Sequence, residues 1–102
     1  NQLFMADCSN YEEGIRAAEI GFDLIGTTMN GYTSYTLGAQ LPNINLMKHL
    51  VEDCKKPVIA EGGIWRPEQL KAALDAGVRA AVIGGAITRP MEITKRFVSA
   101  IR

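Results

Sequence analysis

The 102 residues predict an α/β fold: four βα units with parallel strands, about half of a (β/α)₈ barrel of the TIM type. Three observations predict it. Short apolar runs bounded by turn residues alternate with helix-period stretches along the whole chain. The order strand, acid, helix, glycine, strand, glycine occurs once in each half, so the chain is a repeat of two (βα)₂ units. Glycine pairs follow the last two strands, whereas a small doubly wound sheet usually carries its phosphate glycines after its first.

The strand candidates are "LFMAD" (3–7), "LIGTT" (24–28), "PVIAEG" (57–62) and "AAVIGG" (80–85). Their nearly continuous hydrophobicity is that of parallel strands covered on both faces. "SNYEEGIRAAEIG" joins the first two as a helix, with Ser9 or Asn10 as N-cap and Ile15, Ala18 and Ile20 on an apolar stripe. The polar loop "MNGYTSYTLGAQLPN" precedes a helix around Asn45–Cys54. "RPEQLKAALDAG" is the third helix, with Pro67 in its first turn, Leu70, Ala73 and Leu74 inward and Gly77 as C-cap. A final helix spans Met91–Ile101. Gly21 and Gly77 hold matched positions in the two halves, as do Gly26 and Gly84. Right-handed crossovers then give a parallel sheet whose outer strands are 3–7 and 80–85.

Composition narrows the function class. Acids and bases balance at 11 each, which gives no reason for nucleic acid or an anionic membrane as partner. No apolar run approaches the roughly 20 residues that span a bilayer, and no signal peptide opens the chain. Cys8 and Cys54 fit no metal or redox spacing and read as reduced thiols of a cytoplasmic protein. Asn1 stands almost directly before a strand, which reads as a beginning cut from something longer.

In a barrel, the carboxyl ends of the strands face the active site. Here these ends are Asp7, Thr27-Thr28, Glu61-Gly62-Gly63 and Gly84-Gly85. Glycine pairs let backbone N–H groups approach an anion, and "GGAITRP" adds a helix start beside Arg89, whose fork suits phosphate. The same glycines can also serve only to turn the chain. Asp7 and Glu61 hold equivalent places, and each is either a helix-capping acid or a carboxylate for proton transfer and hydroxyl binding. The long loop suits a cover over a ligand, with Tyr32 and Tyr35 either touching it or lying on the surface. His49 reads as a surface or packing residue rather than a base, and Trp65 as a packing residue rather than a platform on which substrate stacks.

"MADCSNYEEG", "IGTTMNGYTSYT", "PVIAEGGIWRPEQ" and "GGAITRPMEITKRF", in this order, resemble the C-terminal half of the N-acetylmannosamine-6-phosphate 2-epimerases, (β/α)₈ enzymes of bacterial sialic acid catabolism. The resemblance covers essentially the whole chain, so residues 1–102 are expected as one half-barrel, units five to eight. "GTTxxGYT" with "GGAITRP" is specific; "EGGI" alone occurs in many phosphate-binding barrels. The family's reaction, an isomerisation, interconverts N-acetylmannosamine 6-phosphate and N-acetylglucosamine 6-phosphate by moving the proton at C2. On this resemblance Glu61 acts at the reacting end and Asp7 holds the sugar. Gly62, Gly84, Gly85 and Arg89 hold the phosphate, Gly63, Thr28 and Tyr32 complete the substrate contacts, and no metal or organic cofactor is implied.

The family's catalytic lysine lies in the N-terminal half, outside these residues, and Gly63 stands where a basic or polar residue is often expected. An N-terminal half-barrel chain, or self-association as a homodimer, is therefore the expected protein partner. Two other readings stand beside this one. One is a non-catalytic, self-associating half-barrel that binds phosphorylated ligands. The other is a different phosphate-binding barrel enzyme, such as one acting on ribulose-type phosphates, against which "GYTSYT" argues.

Overall fold

The computed structural model describes residues 1–102. Strand β1 (Met5–Asp7) leads through Ser9 and Asn10 into helix α1 (Tyr11–Glu19). Asn10 is the N-cap: its side-chain oxygen accepts the Glu13 N–H at 2.8 Å, while the Glu13 carboxylate accepts the Ser9 N–H at 2.7 Å. The first of these bonds satisfies an N–H that the opening turn leaves without a helical acceptor, and the second ties the residue before the cap to the helix. Then follow β2 (Leu24–Gly26), α2 (Ile44–Asp53), β3 (Val58–Glu61), α3 (Pro67–Asp75), β4 (Ala80–Val82), the short α4 (Gly85–Thr88) and α5 (Pro90–Ser99). Asn43 caps α2 by accepting the Leu46 N–H at 3.0 Å, and proline opens both α3 and α5.

The four strands are parallel and lie in chain order, β1-β2-β3-β4. The register places Ala6 beside Ile25 and Ile25 beside Val58. These residues, with Ala60, face helices α1, α2 and α3 and form the core with Ala17, Leu46, Met47, Leu50 and Ala73. Each large side chain buried here, Leu50 and Ile25 among them, stabilises the fold by about 1.5–3 kcal/mol relative to exposure. Side chains alternate across a sheet, so Asp7, Glu61 and Val82 belong to the other face, the one that lines the inside of a barrel. Val82 on that face is 44% exposed, and the outer edges are flanked by exposed Leu3 and Phe4 near β1 and Ile87 and Met91 near β4.

The outer strands are those expected, but every strand is shorter than its apolar run. Pro57 has no N–H for the ladder, Thr27 and Thr28 turn into the long loop, and Gly84 and Gly85 already belong to the start of α4. Two helix positions also differ. Ile20 and Leu74 are 58% and 47% exposed, where an inward stripe was expected. Ala73 takes the sheet-facing line of α3, and the next residue lies about 100° round the helix. Ile20 is the C-cap of α1, past its last sheet-facing turn.

Candidate active site

The ends of β2, β3 and β4 converge on one cleft of about 640 Å³. Two adjacent threonines after β2 shape it. The buried Thr27 hydroxyl donates to the Glu61 carbonyl at 3.1 Å and accepts the Glu61 N–H at 3.1 Å, which pins the end of β3 to the end of β2. The Thr28 hydroxyl lies 3.0 Å from Asp7 Oδ1 and 3.0 Å from Glu61 Oε1. A single hydroxyl thus joins the acid that ends β1 to the acid that ends β3. Neither acid caps a helix: Asn10 caps α1, and Arg66 is the N-cap of α3.

Glu61, Thr28, Tyr32, Gly62, Gly63, Gly84, Gly85 and Arg89 all line the cleft. Asp7 does not; it meets the cleft through Thr28. The two glycines after β3 differ in kind. Both have positive φ, 103° at Gly62 and 76° at Gly63, a conformation L side chains rarely adopt. A Cβ at Gly62 would come no closer than 3.6 Å to Tyr32, whereas one at Gly63 would run into Leu41. Gly63 therefore makes room for the long loop as well as for the cleft. At Gly84 a Cβ would meet nothing within 4 Å, leaving open space beside the first N–H groups of α4, which have no helical acceptors. Arg89 joins α4 to α5, is exposed, and has no carboxylate within ion-pair distance.

The long loop is tied down on the first unit. The Tyr35 hydroxyl donates to the Glu13 carboxylate, Ser9 Oγ donates to the same carboxylate at 2.6 Å, and Asn30 Nδ2 donates to the Ser9 carbonyl at 2.7 Å. The Ser9 side chain, the Tyr35 hydroxyl and the Ser9 backbone N–H together hold the Glu13 carboxyl below its ordinary pKa. Tyr35 thus anchors the loop, while Tyr32 borders the cleft. His49 packs edge-on against Tyr11 at 6.4 Å, on the α1–α2 side and away from the cleft. Burial, followed by the charges of Glu13 and Asp7, pushes the Cys8 thiol up to about 11, and both Cys8 and Cys54 are free and buried. No three His, Cys, Asp or Glu side chains gather as a metal-holding group, and no helix is long and apolar enough to cross a membrane.

Sequence reasoning missed two features, the anchoring role of Glu13 and the contact of Trp65 with Arg96. Glu13 was foreshadowed by the Asn10-x-x-Glu13 spacing of a capping box, a signal available in the sequence. Trp65 does pack, against Arg96, but it also lines the cleft, with Ala86 and Glu92 beside it. No local pattern links Trp65 to Arg96, because their contact crosses two helices of chain.

Four parallel strands in chain order, each followed by a helix and with their carboxyl ends beside one cleft, are about half of a (β/α)₈ barrel. Residues 1–102 match the family described as "Putative N-acetylmannosamine-6-phosphate epimerase" (NanE), and the chain belongs to that family. It is 52% identical over 100 residues to the "Putative N-acetylmannosamine-6-phosphate 2-epimerase" of Caldanaerobacter subterraneus, covering 98% of this chain and 42% of that one. Its structure superposes on the solved N-acetylmannosamine-6-phosphate 2-epimerase from Clostridium perfringens with a TM-score of 0.93 and 51% identity, covering 98% of this chain and 44% of the other. A more distant likeness, TM-score 0.60 and 26% identity, is to (S)-3-O-geranylgeranylglyceryl phosphate synthase from Thermoplasma acidophilum, solved with sn-glycerol-1-phosphate; it covers 83% of this chain and 32% of that one. The chain spans about half the length of the curated relatives it matches.

Proposed function

We propose that residues 1–102 are βα units five to eight of an N-acetylmannosamine-6-phosphate 2-epimerase, and that the complete barrel interconverts N-acetylmannosamine 6-phosphate and N-acetylglucosamine 6-phosphate. The observation that carries this reading is the Asp7–Thr28–Glu61 chain, whose Thr28 and Glu61 line the same cleft as Gly84, Gly85 and the unpaired Arg89. A phosphorylated sugar needs both features: an anion cradle for one end and proton-moving groups for the other. In the open-chain sugar C2 lies next to the aldehyde, so removing its proton gives an enolate whose charge spreads onto oxygen. Returning a proton to the opposite face inverts the centre. In this reading Glu61 exchanges the proton at C2, Asp7 holds sugar hydroxyls, and Gly62, Gly84, Gly85 and Arg89 hold the phosphate. Gly63 and Tyr32 border the sugar.

The open edges of β1 and β4, with exposed Phe4 and Val82 beside them, are closed by an N-terminal half-barrel or by a second copy of the chain. The first supplies the rest of the proton-transfer machinery. The second is the self-associating half-barrel that binds phosphorylated ligands without turnover. A reducing cytoplasm, with amino-sugar breakdown as the setting, suits the two free thiols.

Glu61→Gln in a full-length barrel containing these residues tests the reading. Turnover should fall at least about 10²-fold, the usual cost of losing a general acid or base, with sugar-phosphate affinity little changed. A correctly folded Gln variant with wild-type turnover would remove Glu61 from the chemistry.

A further inference from the structure

We infer that Thr28 is a positioning residue that couples Asp7 to Glu61 and keeps Glu61 aimed in both of its protonation states; the inference rests on the proton-transfer reading above. Its hydroxyl is 3.0 Å from each carboxylate, which is hydrogen-bonding distance on both sides. A threonine hydroxyl has one hydrogen and two lone pairs, so it donates to one acid at a time, and a lone pair accepts from the other only when that acid is protonated. While Glu61 is ionised, Thr28 donates to Glu61 Oε1. Once Glu61 has taken the proton from C2, its new O–H donates to Thr28 Oγ1, and the Thr28 hydrogen turns to Asp7 Oδ1. No net proton leaves the trio while Glu61 holds the proton taken from C2. Inversion is completed by a proton delivered to the opposite face by a donor of the N-terminal half-barrel, and Glu61 then releases its proton to solvent. The hydroxyl only rotates, so the carboxyl of Glu61 keeps a partner in place before and after the step.

The backbone supports this assignment. Thr27 is locked to the main chain of Glu61 through both its donor and its acceptor, so the adjacent Thr28 is carried in a fixed position relative to β3. β-Branching restricts the Thr28 side chain to few rotamers. Serine at 28 keeps the hydroxyl, and valine keeps the shape without it.

Steady-state kinetics and substrate titration of Thr28→Val, Thr28→Ala and Thr28→Ser in the full-length barrel test the proposal. The Val and Ala variants should lose kcat by roughly tenfold or more, as expected for one lost hydrogen bond to a charged group, with KM within about threefold of wild type. The Ser variant should recover most of kcat. Folded Val or Ala variants with wild-type kcat would overturn the coupling, as would variants in which only KM rises, since that makes Thr28 a substrate contact. If Glu61→Gln is inactive while Thr28→Val turns over normally, the epimerase reading stands and this inference alone falls.

Discussion

The guanidinium of Arg96 rests 4.3 Å from the centroid of the Trp65 ring, so α5 is fastened to the loop after β3 by a cation on an indole. Along its edge the same ring meets the start of α4, where a Cβ at Gly85 would lie 3.3 Å from Trp65. Arg96 Nη1 is buried without a hydrogen-bond partner, which leaves the aromatic face as its compensation.

Arg96→Ala should therefore cost about 1–2 kcal/mol, from the lost cation–π contact and the lost packing of the aliphatic stem. Trp65 is the sole tryptophan, so its fluorescence reports this contact directly. The check is the denaturation midpoint followed by that fluorescence, and an unchanged midpoint and spectrum would sink the idea. Arg96→Lys should recover part of the loss.

Arg89 is exposed and without an ion-pair partner, so its removal leaves no buried charge behind. Arg89→Ala should leave thermal stability nearly unchanged and weaken sugar-phosphate binding by roughly 1.5–3 kcal/mol, measured by calorimetric titration in the full-length barrel. Equal affinity in the two proteins would move the phosphate elsewhere.

The pKa of Glu13 is lower in the folded chain than in the unfolded one, because Ser9 and Tyr35 hydrogen-bond its ionised form. Its stabilising contribution is thus fully present above the ordinary carboxylate range and is lost as pH falls through the lowered value. Stability of the wild-type chain should decline on acidification across that window, and Glu13→Gln should give a flatter curve there. Parallel curves for the two proteins would show that the loop anchor does not depend on charge.

Gly62 and Gly63 share positive φ but not surroundings. Gly62→Ala meets backbone strain alone, about 1 kcal/mol or slightly more. Gly63→Ala adds a collision with Leu41 and should cost about 1–3 kcal/mol beyond that, with the segment around Pro42 displaced. Melting temperatures of the two variants decide it, and equal losses would mean that the loop gives way freely.

The alternation of elements could be read from the chain because each unit carries its own signals, such as the Asn10 cap before α1 and Pro67 at the start of α3. The residues of the cleft were also readable, since in this architecture a strand's last residues face the mouth, and Thr28, Glu61 and Gly84 sit there. Pairwise geometry was not. That Thr28 touches Asp7 and Glu61 together depends on strand register and tilt, and a one-residue slip would turn these side chains to the helix face. The anchoring of Tyr35 on Glu13 spans a loop whose length is visible but whose path is not. Ile20 and Leu74 show the converse, with apolar character promising burial that their place on the helix does not give.

Because each strand pairs with its immediate successor, Met5 with Leu24, Ile25 with Val58 and Ile59 with Ala80, no hydrogen-bonded partner is separated by more than one connecting segment. The sheet grows strand by strand, each closure spanning one whole connection, the kind of separation that makes parallel pairing slow to form. A chain organised this way can be extended at either end without rewiring any existing strand contact. Splicing between α2 and β3, at the seam of the two repeats, would separate Asp7 and Thr28 from Glu61 while leaving two whole modules. Each module keeps its own strands and helices when apart, but the Asp7–Thr28–Glu61 contact exists only when the two are joined.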